Sequence, residues 1–131
     1  MSTLKPSLTL TGTASDFGSA LSLTATDSLT VETPFSGVSR TSIGTSSQDI
    51  ISDLKTTQTS NTYVYLKNMS TDNYVNIYTA TGGGSGSTDP VVFAQLNPLE
   101  FMFFPLKGSV GLKAVANNAA CNLEYAYFTK T

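Results

Sequence analysis

Apolar and polar residues alternate along most of this chain with a period of two, the spacing of half-buried β-strands rather than helices. "SLTLTGT" (Ser7 to Thr13) sets Leu8 and Leu10 against Thr9 and Thr11. "ALSLTAT" (Ala20 to Thr26) repeats the pattern with Leu21, Leu23 and Ala25 on one face, after Gly12 and an Asp16-Phe17-Gly18 turn. Leu29 and Val31 make a third short run before Pro34, and Ile43 falls in a Ser-rich stretch that reads as loop. "DIISDL" (Asp49 to Leu54) fits a strand or a single helical turn capped by Ser47 equally well. From Asn61 the signal strengthens. "TYVYLKN" and "YVNIYTA", joined by the polar "NMSTDN", predict a β-hairpin with Val64, Leu66, Val75 and Ile77 on one face. Tyr63, Tyr65, Tyr74 and Tyr78 would then form an aromatic ladder on the other face, a candidate contact surface. After the glycine-rich "TGGGSGSTDP" come four more runs: "VVFAQL", "EFMFFPL", "VGLKAVA" and "NLEYAYF". Turns at Asn97-Pro98, Lys107-Gly108 and Asn117-Asn118 separate them.

Eight or so short strands with a turn signal about every ten residues predict an all-β fold, an antiparallel β-sandwich that is jelly-roll-like with an extended N-terminal segment. Residues 1–34 are expected to form an interface arm of extended strands and residues 35–131 the sandwich, within a single globular domain overall. The first third is thin in core material, so Leu8, Leu10, Leu21 and Leu23 are expected to lean on another subunit. The run Phe101-Met102-Phe103-Phe104 is too short and too soon broken by Pro105, Lys107 and Gly108 to span a bilayer, which takes about 20 apolar residues. In a strand, Phe101 and Phe103 take one face and Met102 and Phe104 the other. One of these pairs needs cover from outside the core, and Met102 and Phe104 are assigned to the contact.

Composition sharpens this picture. Charged residues are only 12% of the chain, and their place is taken by 17 Ser and 20 Thr, which keep a sheet surface polar without charge. Net charge is −2 and the seven basic residues are scattered, so no stripe exists for direct nucleic-acid binding. No signal-peptide pattern opens the sequence. The one cysteine, Cys121, reads as a buried thiol, and Asn68-Met69-Ser70 as a glycosylation triplet of the kind that arises by chance.

Candidate chemistry is sparse. The absence of histidine removes the usual general base, the Ser/His/Asp triad, a Cys–His nucleophile and the commonest zinc ligand. The carboxylates offer Asp49 and Asp53 at helical spacing, which reads as a solvated edge. The glycine-rich loop lacks the lysine of a phosphate loop, and Asp72, Asn76 and Asp89 match no calcium cage. No catalytic residue, cofactor or metal is therefore expected, and a small jelly-roll enzyme would lack a base. A carbohydrate or host-receptor module would have to use the tyrosine face and the Gly83–Thr88 loop.

The C-terminal half also resembles a family. Tyr65-Leu66-Lys67-Asn68, Leu96-Asn97-Pro98-Leu99-Glu100, Phe104-Pro105-Leu106, Gly111-Leu112-Lys113-Ala114 and Glu124-Tyr125 are similar to segments of small virion structural proteins of tailed bacteriophages, cyanophages included. The likeness covers residues 60–130, and residues 7–31 more loosely. Leu99 stands where the family has Gly in a Pro-Gly-Glu turn, which implies a different turn type here. The resemblance implies a non-enzymatic protein of the virion surface, made in the host cytoplasm, that decorates or cements the capsid or forms a knob or fibre base. A tail or baseplate adaptor is the neighbouring alternative. Implied partners are the major capsid protein or other virion proteins and further copies of the chain, as a homo-oligomer with a trimer favoured.

Overall fold

The computed structural model describes residues 2–13, 18–32, 37–51, 61–79, 91–108 and 110–131. Asp16, Phe17, Pro34, Asp53, Leu54 and the glycine-rich stretch 81–90 lie outside these, and with them the expectations placed there. Twelve strands are described: β1 Ser2–Leu4, β2 Ser7–Gly12, β3 Leu21–Thr26, β4 Leu29–Val31, β5 Ser39–Ile43, β6 Gln48–Ile51, β7 Thr62–Asn68, β8 Val75–Thr79, β9 Val92–Leu96, β10 Phe101–Leu106, β11 Leu112–Ala116 and β12 Cys121–Thr129. No helix occurs among the described residues, so none there is long and apolar enough to cross a membrane.

Eight strands make a sandwich of two four-stranded antiparallel sheets, ordered β10-β7-β12-β5 and β6-β11-β8-β9. Each strand sends alternate side chains between the sheets. Val64 and Leu66 of β7 and Leu123 of β12 meet Val75 and Ile77 of β8 and Leu112 and Ala114 of β11 in one buried cluster. Fully burying a side chain of this size contributes roughly 1.5–3 kcal/mol, so this shared layer is what joins the sheets.

The alternation is as the sequence predicts, but the pairing is not. β7 and β8 lie in different sheets, so the polar loop between them crosses the sandwich instead of closing a hairpin. The links β5–β6, β9–β10, β10–β11 and β11–β12 cross likewise. The Ser-rich stretch read as loop is strand β5, paired with β12 from Ser39↔Tyr125 to Ile43↔Cys121, and its Ile43 is core. The ambiguous "DIISDL" begins as strand β6. Ile51 pairs with Leu112 and Asp49 with Lys113, so Ile50 is the extra residue of a β-bulge. That bulge explains how two adjacent isoleucines are both buried.

Two details fix the crossovers. Asn68 ends β7 and continues its inward parity after Thr62, Val64 and Leu66; its side chain is fully buried. Its Nδ2 donates to the carbonyls of Asn73, Leu96 and Asn97 at 2.8, 3.1 and 3.2 Å, and its Oδ1 accepts from the Ser70 N–H at 3.0 Å. The glycosylation triplet is therefore closed to any enzyme in the folded chain. At the β9–β10 link, the Glu100 N–H donates to the Asn97 carbonyl at 3.1 Å, with Pro98 second and Leu99 third at φ 64°. This is a type II turn in which Leu99 takes the left-handed position that favours glycine. Leu99 therefore carries backbone strain in this turn.

The remaining four strands pair outside the sandwich, β1 with β4 and β2 with β3. β4 is tied to the end of β12. Glu32 donates to the Thr129 carbonyl at 2.9 Å and Thr131 to the Thr30 carbonyl at 3.1 Å. Leu29 and Val31 are buried, so this part of the N-terminal segment belongs to the chain's own fold.

Candidate interaction surface

The β2–β3 hairpin is different. Its register pairs Leu8↔Ala25, Leu10↔Leu23 and Gly12↔Leu21, alternating with Ser7↔Thr26, Thr9↔Thr24 and Thr11↔Ser22. Residues opposite each other in an antiparallel pair share a face. One face is therefore Leu8, Leu10, Leu21, Leu23 and Ala25, and the other is wholly hydroxyl. All four leucines are exposed, from 41% for Leu21 to 47% for Leu23. The structure thus brings together the four leucines that the sequence nominates, and leaves their apolar face bare.

Beside the hairpin lies the outer face of the β10-β7-β12-β5 sheet. Phe101, Phe103 and Pro105 of β10 stand opposite Lys67, Tyr65 and Tyr63 of β7, which in turn oppose Glu124, Ala126 and Phe128 of β12. Tyr63 and Phe103 stack with ring centroids 5.8 Å apart at 22°. Phe101 is 64% exposed and Phe103 40%. Between this face and the root of the hairpin runs a groove of about 810 Å³, to which Leu8, Ala25, Tyr63, Phe101, Phe103 and Phe128 contribute. Ala126 lines it too and is buried although it points away from the sandwich core. A second hollow, containing Leu99, shares Phe101 with the first and extends the apolar surface along the β10 edge.

One polar cluster crosses the same sheet. The Arg40 Nε–H of β5 donates to Glu124 Oε2 at 3.0 Å, and the Tyr65 hydroxyl donates to Glu124 Oε1 at 3.1 Å. The Arg40 hydrogen bond, then that from Tyr65, holds the Glu124 carboxyl below its ordinary range. Partial burial, then the carboxylate beside it, pushes the Tyr65 hydroxyl up. This is a cross-strand tie, with both charges used on each other.

The other nominated residues are divided between this groove and the rest of the fold. The crossover after β7 splits the tyrosines: Tyr63 and Tyr65 face the groove, whereas Tyr78 is on β8 and Tyr74 precedes it, in or beside the other sheet. They form no four-membered ladder. Met102 and Phe104 are half-buried and pack on the core; Met102 nevertheless lines both the groove and the second hollow, and Phe104 meets Phe93 edge-on at 5.8 Å and 67°. The exposed pair is Phe101 and Phe103, together with Leu99 in the turn before them. Parity with buried Leu106, at the end of the same strand, is the signal that distinguishes them: even positions go in, odd ones out. Asp49 lies on β6 with its carboxylate 3.9 Å from the Lys113 ammonium, a surface pair. Among the described residues, no three of Cys, Asp and Glu converge as metal ligands. What this surface offers chemically is apolar area with few charges. Comparison of the chain with protein-family models, with curated proteins and with solved structures gives no match.

Proposed function

We propose that this chain is a non-enzymatic structural protein of a tailed-bacteriophage virion, which decorates or cements the capsid surface through β-sheet contacts. The observation that carries the docking part is the amphipathic β2–β3 hairpin, whose leucine face is open to water along its whole length. A two-stranded ribbon is marginal by itself, and a bare apolar face on it is a liability until something covers it. A chain that keeps both is fitted to assembly. The virion assignment rests on the resemblance of residues 60–130 to such proteins. We read the sandwich as a jelly roll on its strand order: numbering β5 to β12 as one to eight, the sheets run 6-3-8-1 and 2-7-4-5, as when one long hairpin is rolled up. The partners are the major capsid protein or another virion protein, and specific docking asks for about 800 Å² per partner. Contacts of hydroxyl and apolar groups would hold with little dependence on salt.

The test removes the hairpin alone. The Asp27 N–H donates to the Pro6 carbonyl at 3.1 Å, so a short Gly/Ser linker can replace Ser7 to Thr26 without disturbing β1 or β4. The shortened chain should keep a β-type circular dichroism spectrum and lose binding to particles of its phage that lack this protein. Binding equal to that of the full chain would overturn the reading.

A further inference from the structure

The hairpin and the groove raise one question together: what covers them? Only the root of the hairpin is used at home. Leu8 and Ala25 line the groove, but Leu10, Leu21 and Leu23, nearer the tip, do not. The groove in turn keeps Phe101 and Phe103 in contact with water. One molecule therefore carries an unused apolar ribbon end and an unused apolar slot.

We infer that the slot is filled by the ribbon of a second copy of this chain, with Leu10, Leu21 and Leu23 of one copy seated over Phe101, Phe103 and Tyr63 of the next. This rests on the docking reading and deepens it: the hairpin joins copies of the chain, and the assembled copies are what dock on the capsid. Three observations select a second copy. The first is size. Sheets pack about 10 Å apart and strands lie about 5 Å apart, so a ribbon end two strands wide and three residue pairs long fills roughly 1000 Å³. The groove offers about 810 Å³. The second is charge. Strands β2 and β3 contain no charged residue; on the receiving sheet Arg40 and Glu124 neutralise one another, and the charges left beside the groove are Lys67 of β7, next to Phe101 and Glu124, and Asp27 at the root of the hairpin. An uncharged ribbon from a second copy meets repulsion from neither sign. The third is reciprocity: each copy has one ribbon end to give and one slot to fill, so a closed ring or a reciprocal pair covers both liabilities at once. A different protein seated in the slot would leave the leucines bare.

The experiment uses the whole chain. Light scattering should find the wild type as a complex of two or more copies. Leu23→Glu should weaken association at least tenfold while leaving the thermal midpoint of the dilute protein unchanged, because Leu23 is exposed within its own chain. A chain carrying Leu23→Cys, mixed with a tagged chain carrying Phe101→Cys, should form the mixed disulfide dimer at least ten times faster than with a chain carrying Ser46→Cys, a control at an exposed position outside the groove. A wild type that stays monomeric at high concentration, or cross-linking no faster than the control, overturns the inference. A monomeric wild type that still needs its hairpin to bind particles would remove the second copy and leave the docking reading standing. A hairpin-dependent oligomer that binds no particle would do the reverse.

Discussion

Asn68 and Leu96 belong to opposite sheets, yet the Asn68 amide Nδ2 donates to the Leu96 carbonyl at 3.1 Å, inside the protein. The same amide holds Asn73 and Asn97, so one side chain ties the loop leaving β7 to the link between β9 and β10. Each such bond contributes about 1 kcal/mol net, and buried groups left without a partner cost about 1–3 kcal/mol. Asn68→Ala should therefore lower stability by about 3 kcal/mol, a fall in thermal midpoint on the order of 10 °C for a chain of this size. Asn68→Asp preserves the volume but turns a carboxylate toward three carbonyl oxygens, and should lose more at neutral pH. Its carboxyl would titrate higher folded than unfolded, so the Asp variant should recover as pH falls and weaken as pH rises through the folded value. Urea melts of both variants in mildly acidic and in neutral buffer check this; an Asp variant as stable as wild type at neutral pH would refute it.

Leu99 occupies a left-handed position at φ 64° while its side chain is 54% exposed, so it has strain and little burial in return. Left-handed backbone costs a non-glycine residue roughly 1–2 kcal/mol, and the greater freedom of unfolded glycine takes back part of the relief. Leu99→Gly should stabilise the isolated chain by about 0.5–1 kcal/mol. Calorimetry would register this as a rise of a few degrees, and a fall would contradict the turn assignment.

The two residues also mark how far the sequence can be read. Period two tells which side of a strand a residue takes, and on that ground Val64, Leu66, Val75 and Ile77 are inside, as the alternation predicts. It says nothing about which strand lies alongside, and a short, mostly polar loop serves a crossover as well as a hairpin. That is why Tyr65 and Tyr78 stand in different sheets. Asn68 is of a type common in turns, although its parity after Thr62, Val64 and Leu66 already points inward. For Met102 and Phe104, apolarity on both faces of one strand hides the parity, which Leu106 supplies. The hairpin leucines are legible because apolar and hydroxyl residues alternate along both of its strands. Their exposure is not, since it depends on what the rest of the chain leaves uncovered.

The Arg40–Glu124–Tyr65 tie predicts two pH effects of opposite sign. Glu124 titrates lower folded than unfolded, so its contribution is present above the ordinary value of 4.5 and is lost as pH falls through the depressed folded value. Tyr65 titrates higher folded than unfolded. Its contribution is present below 10.0 and is lost as pH rises through the raised folded value. Glu124→Gln should flatten the acid side of a thermal-midpoint profile, and Tyr65→Phe the alkaline side. Profiles parallel to wild type on both sides would mean that the tie contributes nothing in solution.

Cys121 is closed to reagents in the native state and so reports on its opening. Its thiol is buried among core side chains, with Sγ 3.5 Å from the Ala119 carbonyl and 4.0 Å from the Asn73 carbonyl, the same oxygen that Asn68 Nδ2 holds at 2.8 Å. Reagents reach such a thiol only when the surrounding structure opens, and opening that needs most of the sandwich to come apart is rare. Labelling with an aromatic disulfide should be slower than in denaturant by roughly a hundredfold or more. Asn68→Ala should accelerate it, because the loop that covers Cys121 is the one this amide fastens. Fast labelling of the folded wild type would show that the β11–β12 end of the sandwich is open, and an unchanged rate in the Asn68 variant would separate the thiol from the crossover lock.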